Sequence, residues 1–180
     1  MTDSQMGGAQ TALVACLFDI DGTLADTGAA IREAIVQVLR EEGIRPTWEE
    51  IRSGWTLAGL EARGIALGVV TSKRRTAALC TLRTLGLERH FPVVVCEEDA
   101  PVSKPDPAPR LLAAERQGVP PALSVMVGDG GVDVSAGKAA GMRTAGALWG
   151  TVAPELLRAA GPDWLPQTPS ELLSIFPGRE

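Results

Sequence analysis

Short apolar, β-rich runs alternate with helical stretches along most of the chain, and this alternation restricts its fold more than any other feature. The runs lie at residues 12–18, 65–70, 93–95, 123–127 and 144–148. Helical patterns fill the spaces at 57–63, 74–85, 108–117 and 132–140, closed in turn by Gly64, Gly86, Gly118 and Gly141. Two more helices are expected near 154–160 and 169–176. Strands joined through helices run parallel, because a hairpin can only join antiparallel neighbours. The order therefore predicts an α/β fold: a doubly wound, Rossmann-like parallel sheet of five strands with helices on both faces.

In such a sheet, sites form beyond the carboxyl ends of the strands. Asp19 and Asp21 follow the first run, Thr71 and Ser72 the second, and Asp129 the fourth, with Asp133 just beyond. Lys104 lies in the proline-rich loop after the third. Taken singly, each is an ordinary turn or helix-cap residue. A parallel sheet would gather them, although Asp19 and Asp129 stand 110 residues apart. The first run ends in Asp19-Ile20-Asp21-Gly22-Thr23-Leu24. Side chains two apart on a strand share a face, so the two carboxylates are expected to aim at one point. Such a pair persists where a cation neutralises it or where the two share a proton. Gly22 permits a tight turn, and Thr23 adds a hydroxyl.

Composition removes several function classes. The 180 residues fit one domain with a small insert, and 45% are hydrophobic, enough for a sizeable core. A net charge of −5 leaves no general basic patch for nucleic acid or an anionic membrane. No apolar run reaches the roughly 18 residues of a membrane span, and Asp3 stands where a leader would be basic. Cys16, Cys80 and Cys96 are odd in number and lack metal-ligand spacing; they read as buried free thiols in a reducing compartment. The expectation is a soluble cytoplasmic protein.

The ordered set of motifs resembles the haloacid dehalogenase superfamily of phosphotransferases. Residues 18–24 resemble its first motif, 69–73 its second, Lys104-Pro105 its third, and 127–133 (GDxxxD) its fourth. The resemblance implies Asp19 as nucleophile and Asp21 as general acid/base. It implies Thr71, Ser72, Lys104 and the backbone at Gly22 as phosphate-binding groups. Mg²⁺ would be held by the Asp19 and Asp129 side chains and the Asp21 carbonyl, with Asp133 orienting Lys104 or metal-bound water. Residues 104–142 and Ala147-Leu148-Trp149-Gly150 look most like bacterial phosphoglycolate phosphatases, while Pro162-Asp163-Trp164-Leu165 resembles the pyrophosphatase branch. A small phosphorylated metabolite is the implied partner. A receiver domain, which also gathers Asp, Thr and Lys at strand ends, is disfavoured by DxDGT and GDxxxD.

The chain departs from that family in one respect. Its relatives carry a helical cap between the first two motifs, needing about 60 residues for four helices and their loops. Residues 25–54 supply 30. The expected organisation is a flexible tail at 1–11, a catalytic core at 12–24 and 55–180, and a truncated cap at 25–54. Within the cap, Thr27 would open a helix over 27–42, and Thr47-Trp48-Glu49-Glu50 has capping-box order. Ile31, Ile35, Val38 and Leu39 form an apolar stripe at helical spacing, which predicts a homodimer through the cap remnant. The rival to an enzyme is a cap-deficient relative that binds phosphorylated partners without useful turnover.

Overall fold

The computed structural model of the chain describes residues 12–25 and 55–176. The expected tail, the helix over 27–42 with its stripe, and the capping-box segment at Thr47 lie outside the described residues.

Five strands form one parallel sheet: β1 (Ala15–Phe18), β2 (Ala66–Val70), β3 (Val93–Val95), β4 (Ser124–Gly128) and β5 (Arg143–Gly146). Their order across the sheet is β3-β2-β1-β4-β5. The chain steps outward from β1 to β2 and β3, returns past β1, and then steps outward again through β4 to β5. The switch point of this doubly wound sheet thus lies between β1 and β4. Phe18 pairs with Val69 on one side and Val127 on the other. That register brings the ends of β1, β2 and β4 level, so residues just past each end become neighbours.

Among the described residues six helices accompany the strands: α1 (Trp55–Glu61), α2 (Arg75–Thr84), α3 (Ala108–Gln117), α4 (Gly131–Ala139), α5 (Pro154–Ala159) and α6 (Leu172–Ile175). Period-two alternation on β1 feeds a core on each face of the sheet. Cys16 and Phe18 join Leu67, Val69, Val125 and Val127 against Leu60 of α1, Leu82 of α2 and Leu172 of α6. Leu17 joins Val70, Val95 and Met126 against Ala113 and Ala114 of α3. Fully burying a Leu or Phe side chain contributes about 1.5–3 kcal/mol, so both faces anchor the sheet.

Several boundaries differ from expectation. The helix expected over 57–63 ends at Glu61, because the chain tightens: Arg63 N–H donates to Leu60 O (3.0 Å) and Gly64 N–H to Glu61 O (2.8 Å). The fifth strand ends at Gly146, since Leu148 N–H turns to Pro166 O (3.0 Å). The helix expected near 169–176 is a 3₁₀ turn, Pro169–Glu171, followed by α6. Cys16 and Cys96 are buried, but Cys80 is exposed, which corrects the expectation of three buried thiols. Cys80 lies on α2 while the buried face of that helix is set by Ala78 and Leu82. Among the described residues no helix is long and apolar enough to cross a membrane.

Candidate active site

The centre of the site is the turn after β1. Asp19 N–H still donates to Val127 O of β4 (2.9 Å), so Asp19 is fixed by the sheet although the strand has ended. The chain then folds on itself: Leu24 and Ala25 N–H both donate to Ile20 O (3.0 and 2.8 Å), and Gly22 N–H donates to Ala25 O (2.8 Å). Gly22 sits at φ +74°, a conformation side chains disfavour. A Cβ there would also stand 2.1 Å from Asp129 Oδ2, so any larger residue would push into a carboxylate of the site.

The two motif carboxylates take different surroundings. Asp19 is 6% exposed. Its Oδ2 meets Lys104 Nζ at 2.8 Å, while its Oδ1 is buried with no hydrogen-bond partner among the described residues. Burial pushes its pKa up to about 6, against the opposing pull of the Lys104 ammonium; the nearby Asp133 carboxylate adds to the rise. Asp21 has a side chain 41% exposed and meets Lys73 Nζ at 2.8 Å through Oδ1. Because β1 stops at Phe18, strand alternation does not reach Asp21. The expectation that both carboxylates aim at one point is corrected: they engage separate cations, one inside and one at the rim.

Lys104 links the deep groups. Its ammonium lies 2.8 Å from Asp19 Oδ2 and 2.6 Å from Asp133 Oδ1. Asp133, in the first turn of α4, also accepts from Arg110 Nη2 of α3 at 2.9 Å. Arg110 is wholly buried, and its Nε and Nη1 have no hydrogen-bond partner among the described residues. Desolvation lowers its pKa, and Asp133 and Asp19 oppose the shift.

Asp129, two residues past the register partner of Phe18, is held by the segment after β5. Thr151 donates to its Oδ2 through the backbone N–H (2.9 Å) and the hydroxyl (3.1 Å). Gly150 packs against it; a Cβ on Gly150 would stand 2.1 Å from the Asp129 Cβ. Trp149 ties the same segment to the first turn by donating Nε1–H to Thr23 O (3.0 Å). Thr71 is buried at the end of β2, where its Oγ1 accepts from Lys73 N–H (3.2 Å), and Ser72 is exposed beside it.

The sheet therefore brings Asp19, Lys104, Asp129 and Asp133 together, with Asp21, Thr71 and Ser72 at the ends of β1 and β2. The carboxylate oxygens of Asp19, Asp129 and Asp133 lie within 4.8 Å of one another. Three buried carboxylates thus face two cations, the partly buried Lys104 and the wholly buried Arg110, which leaves one negative charge in excess. Asp133 is already paired twice. Asp19 keeps Oδ1 free, and Asp129 Oδ1 accepts no hydrogen bond from the described residues. Two oxygen donors with unmet charge suit a hard divalent cation such as Mg²⁺.

Arg110, Thr151 and the Asp21 contact of Lys73 were not anticipated. For Arg110 a signal existed: it shares the i, i+3, i+4 stripe of Ala113 and Ala114 on a helix whose other stripe residues are small and apolar.

Comparison with known proteins decides the family. The family model for haloacid dehalogenase-like hydrolases matches residues 51–147. The chain belongs to this family. A pyrophosphatase, PpaX of Bacillus pumilus, is 42% identical over 120 residues, covering 67% of this chain and 56% of that protein. A phosphoglycolate phosphatase of Escherichia coli is 37% identical over 118 residues, covering 66% of this chain and 47% of that protein. The chain thus matches about half the length of these relatives. A solved haloacid dehalogenase-like hydrolase of Streptococcus pneumoniae shares the fold at a TM-score of 0.71, with 19% identity over 92% of this chain and 99% of that one.

Proposed function

We propose that this haloacid dehalogenase-like protein is a cytoplasmic, Mg²⁺-dependent phosphatase acting on small phosphate monoesters through an aspartyl phosphate on Asp19. One observation carries the reading: a buried carboxylate with one oxygen on Lys104 and the other free, at the switch point of the sheet. A carboxylate so placed is a nucleophile held in one orientation.

A carboxylate oxygen of Asp19 attacks phosphorus and forms an acyl-phosphate bond as the bond to the leaving oxygen breaks. Asp21 gives its proton to that oxygen. Its carboxylate then takes a proton from water, which attacks phosphorus, releases phosphate and restores Asp19. The half-exposed position of Asp21 suits this exchange with water. Lys104 offsets the charge of Asp19 as an anionic phosphoryl group approaches, and Thr71 and Ser72 offer hydroxyls to the phosphoryl oxygens. Asp133 and Arg110 keep Lys104 in place. Mg²⁺, held by Asp19 and Asp129, would neutralise the remaining negative charge and polarise the phosphoryl group.

The identity to PpaX favours pyrophosphate as the second substrate reading. The test is phosphate release from 2-phosphoglycolate, other small monoesters, p-nitrophenyl phosphate and pyrophosphate, with Mg²⁺ and with chelator. Mg²⁺-dependent turnover of at least one monoester is expected. Turnover indifferent to chelator, or confined to pyrophosphate, would contradict the reading.

A further inference from the structure

Lys73, in the loop after β2, is a cation that the reaction just described does not use. We infer that Lys73 is a specificity-determining residue: it selects phosphate esters whose leaving group carries a second negative charge close to the ester oxygen. The inference rests on the phosphatase reading and deepens it.

Three observations lead there. The first is placement. Lys73 Nζ lies 2.8 Å from Asp21 Oδ1 at the rim. A leaving oxygen that takes a proton from Asp21 must come within hydrogen-bond reach of that carboxyl. Lys73 Nζ would then lie within about 6 Å of the leaving oxygen, where a carboxylate or phosphate one or two atoms further on can meet it.

The second is the basic run around it. Arg74 and Arg75 follow Lys73 directly but point away from the site. Arg74 faces Glu97 and Glu98, and Arg75 pairs with Asp99 and donates its backbone N–H to Glu98 (3.0 Å). Lys73 alone of the three meets a site carboxylate. Its backbone is pinned on both sides: its N–H donates to Thr71 Oγ1 (3.2 Å) and its carbonyl accepts from Glu97 N–H (3.0 Å). The side chain thus starts from a fixed point and needs little reordering to meet an anion.

The third is availability. Lys104 is shared between two buried carboxylates, and Arg110 is wholly enclosed. The Lys73 side chain is 22% exposed, and its ammonium, ion-paired with Asp21, keeps N–H donors for an incoming anion. Among the described residues of the site, Lys73 is the cation that a leaving group can reach.

The test compares 2-phosphoglycolate and pyrophosphate, which carry the second charge as carboxylate and as phosphate, with ethyl phosphate, which lacks it. In wild type, kcat/KM should favour at least one anionic compound over ethyl phosphate, and the favoured one names the charge that is read. In Lys73→Gln that preference should fall about tenfold or more, the worth of one charge-assisted contact, whereas Lys73→Arg should keep most of it. Equal losses on all three substrates would overturn the inference in favour of a role limited to orienting Asp21. A preference unchanged in Lys73→Gln, or absent from wild type, would overturn it as well. Calorimetric titration of Asp19→Asn with the same compounds, with and without Lys73→Gln, reads the preference as binding without turnover. If no ester is hydrolysed, the phosphatase reading fails, and the binding preference still decides the role of Lys73.

Discussion

Asp19 and Asp21 stand two residues apart and share one turn, yet they belong to opposite kinds of environment. Asp19 lies on a dry floor with Lys104, Asp133, Arg110 and Asp129, where every charge faces another through little solvent. Asp21 lies at a wet rim with Lys73, both partly exposed. On the floor, Coulomb forces are weakly screened, so positions are fixed by pairing and a lost partner is costly. At the rim, water screens the same forces, and an ion pair contributes at most about 1 kcal/mol. The floor suits a nucleophile that must not wander. The rim suits a group that trades protons with water and meets varied leaving groups.

Under that division the floor should fail completely and the rim partially. Asp19→Asn removes the attacking oxygen and is expected to lower turnover by at least about 10⁴-fold, with no acyl phosphate trapped on acid quench. Activity within tenfold of wild type would end the assignment. Asp21→Asn should cost roughly 10²–10⁴ in turnover, the usual worth of a positioned acid/base. Mg²⁺ affinity, followed by calorimetry, should stay near wild type in Asp21→Asn, because its side chain faces Lys73 rather than Asp129. Loss of Mg²⁺ binding in a folded Asp21→Asn protein would move Asp21 onto the floor.

The same contrast appears in stability. Asp133→Ala strands Arg110 without its counter-ion, and breaking a buried pair in this way costs about 3–5 kcal/mol. Urea unfolding should show that loss, and the double variant Asp133→Ala, Arg110→Met should recover much of it, because no buried guanidinium is then left without its counter-ion. If the double variant is as unstable as the single one, Arg110 contributes by packing rather than by charge.

The fold and the floor were legible to different depths in the sequence. Five runs, their helical spacers and the order of Asp19, Thr71, Lys104 and Asp129 could be read because periodicity and strand-end placement are local properties. The stripe Arg110 shares with Ala113 and Ala114 points it inward, but its partner Asp133 lies on another helix and no local pattern names it. Thr151 and Gly150 reach Asp129 from beyond β5, a contact made only once β4 and β5 are paired. The error over Asp21 came from carrying strand alternation past Phe18, where the Ile20–Ala25 turn takes over. Tertiary pairing, not propensity, decided each of these points.

The smallest effect follows from the pKa of Asp19. Burial disfavours the charged form and pushes this carboxyl up to about 6 from an ordinary value of 3.8. The folded chain therefore binds this proton more tightly than the unfolded chain between about pH 4 and 6. Asp19's contribution to stability accordingly falls as pH rises through that window and is level above it. Mg²⁺ needs the ionised carboxylate, so proton and metal compete for Asp19. Affinity should be flat above about pH 7 and roughly tenfold weaker at pH 5, where about one molecule in ten has Asp19 ionised. A fully solvated carboxylate would stay ionised at pH 5 and show no such fall. Calorimetric titration of Mg²⁺ at pH 5, 6 and 7.5 distinguishes the two. Equal affinity at pH 5 and 7.5 would mean that Asp19 is better solvated than its burial indicates, and the division between floor and rim would lose its electrostatic basis.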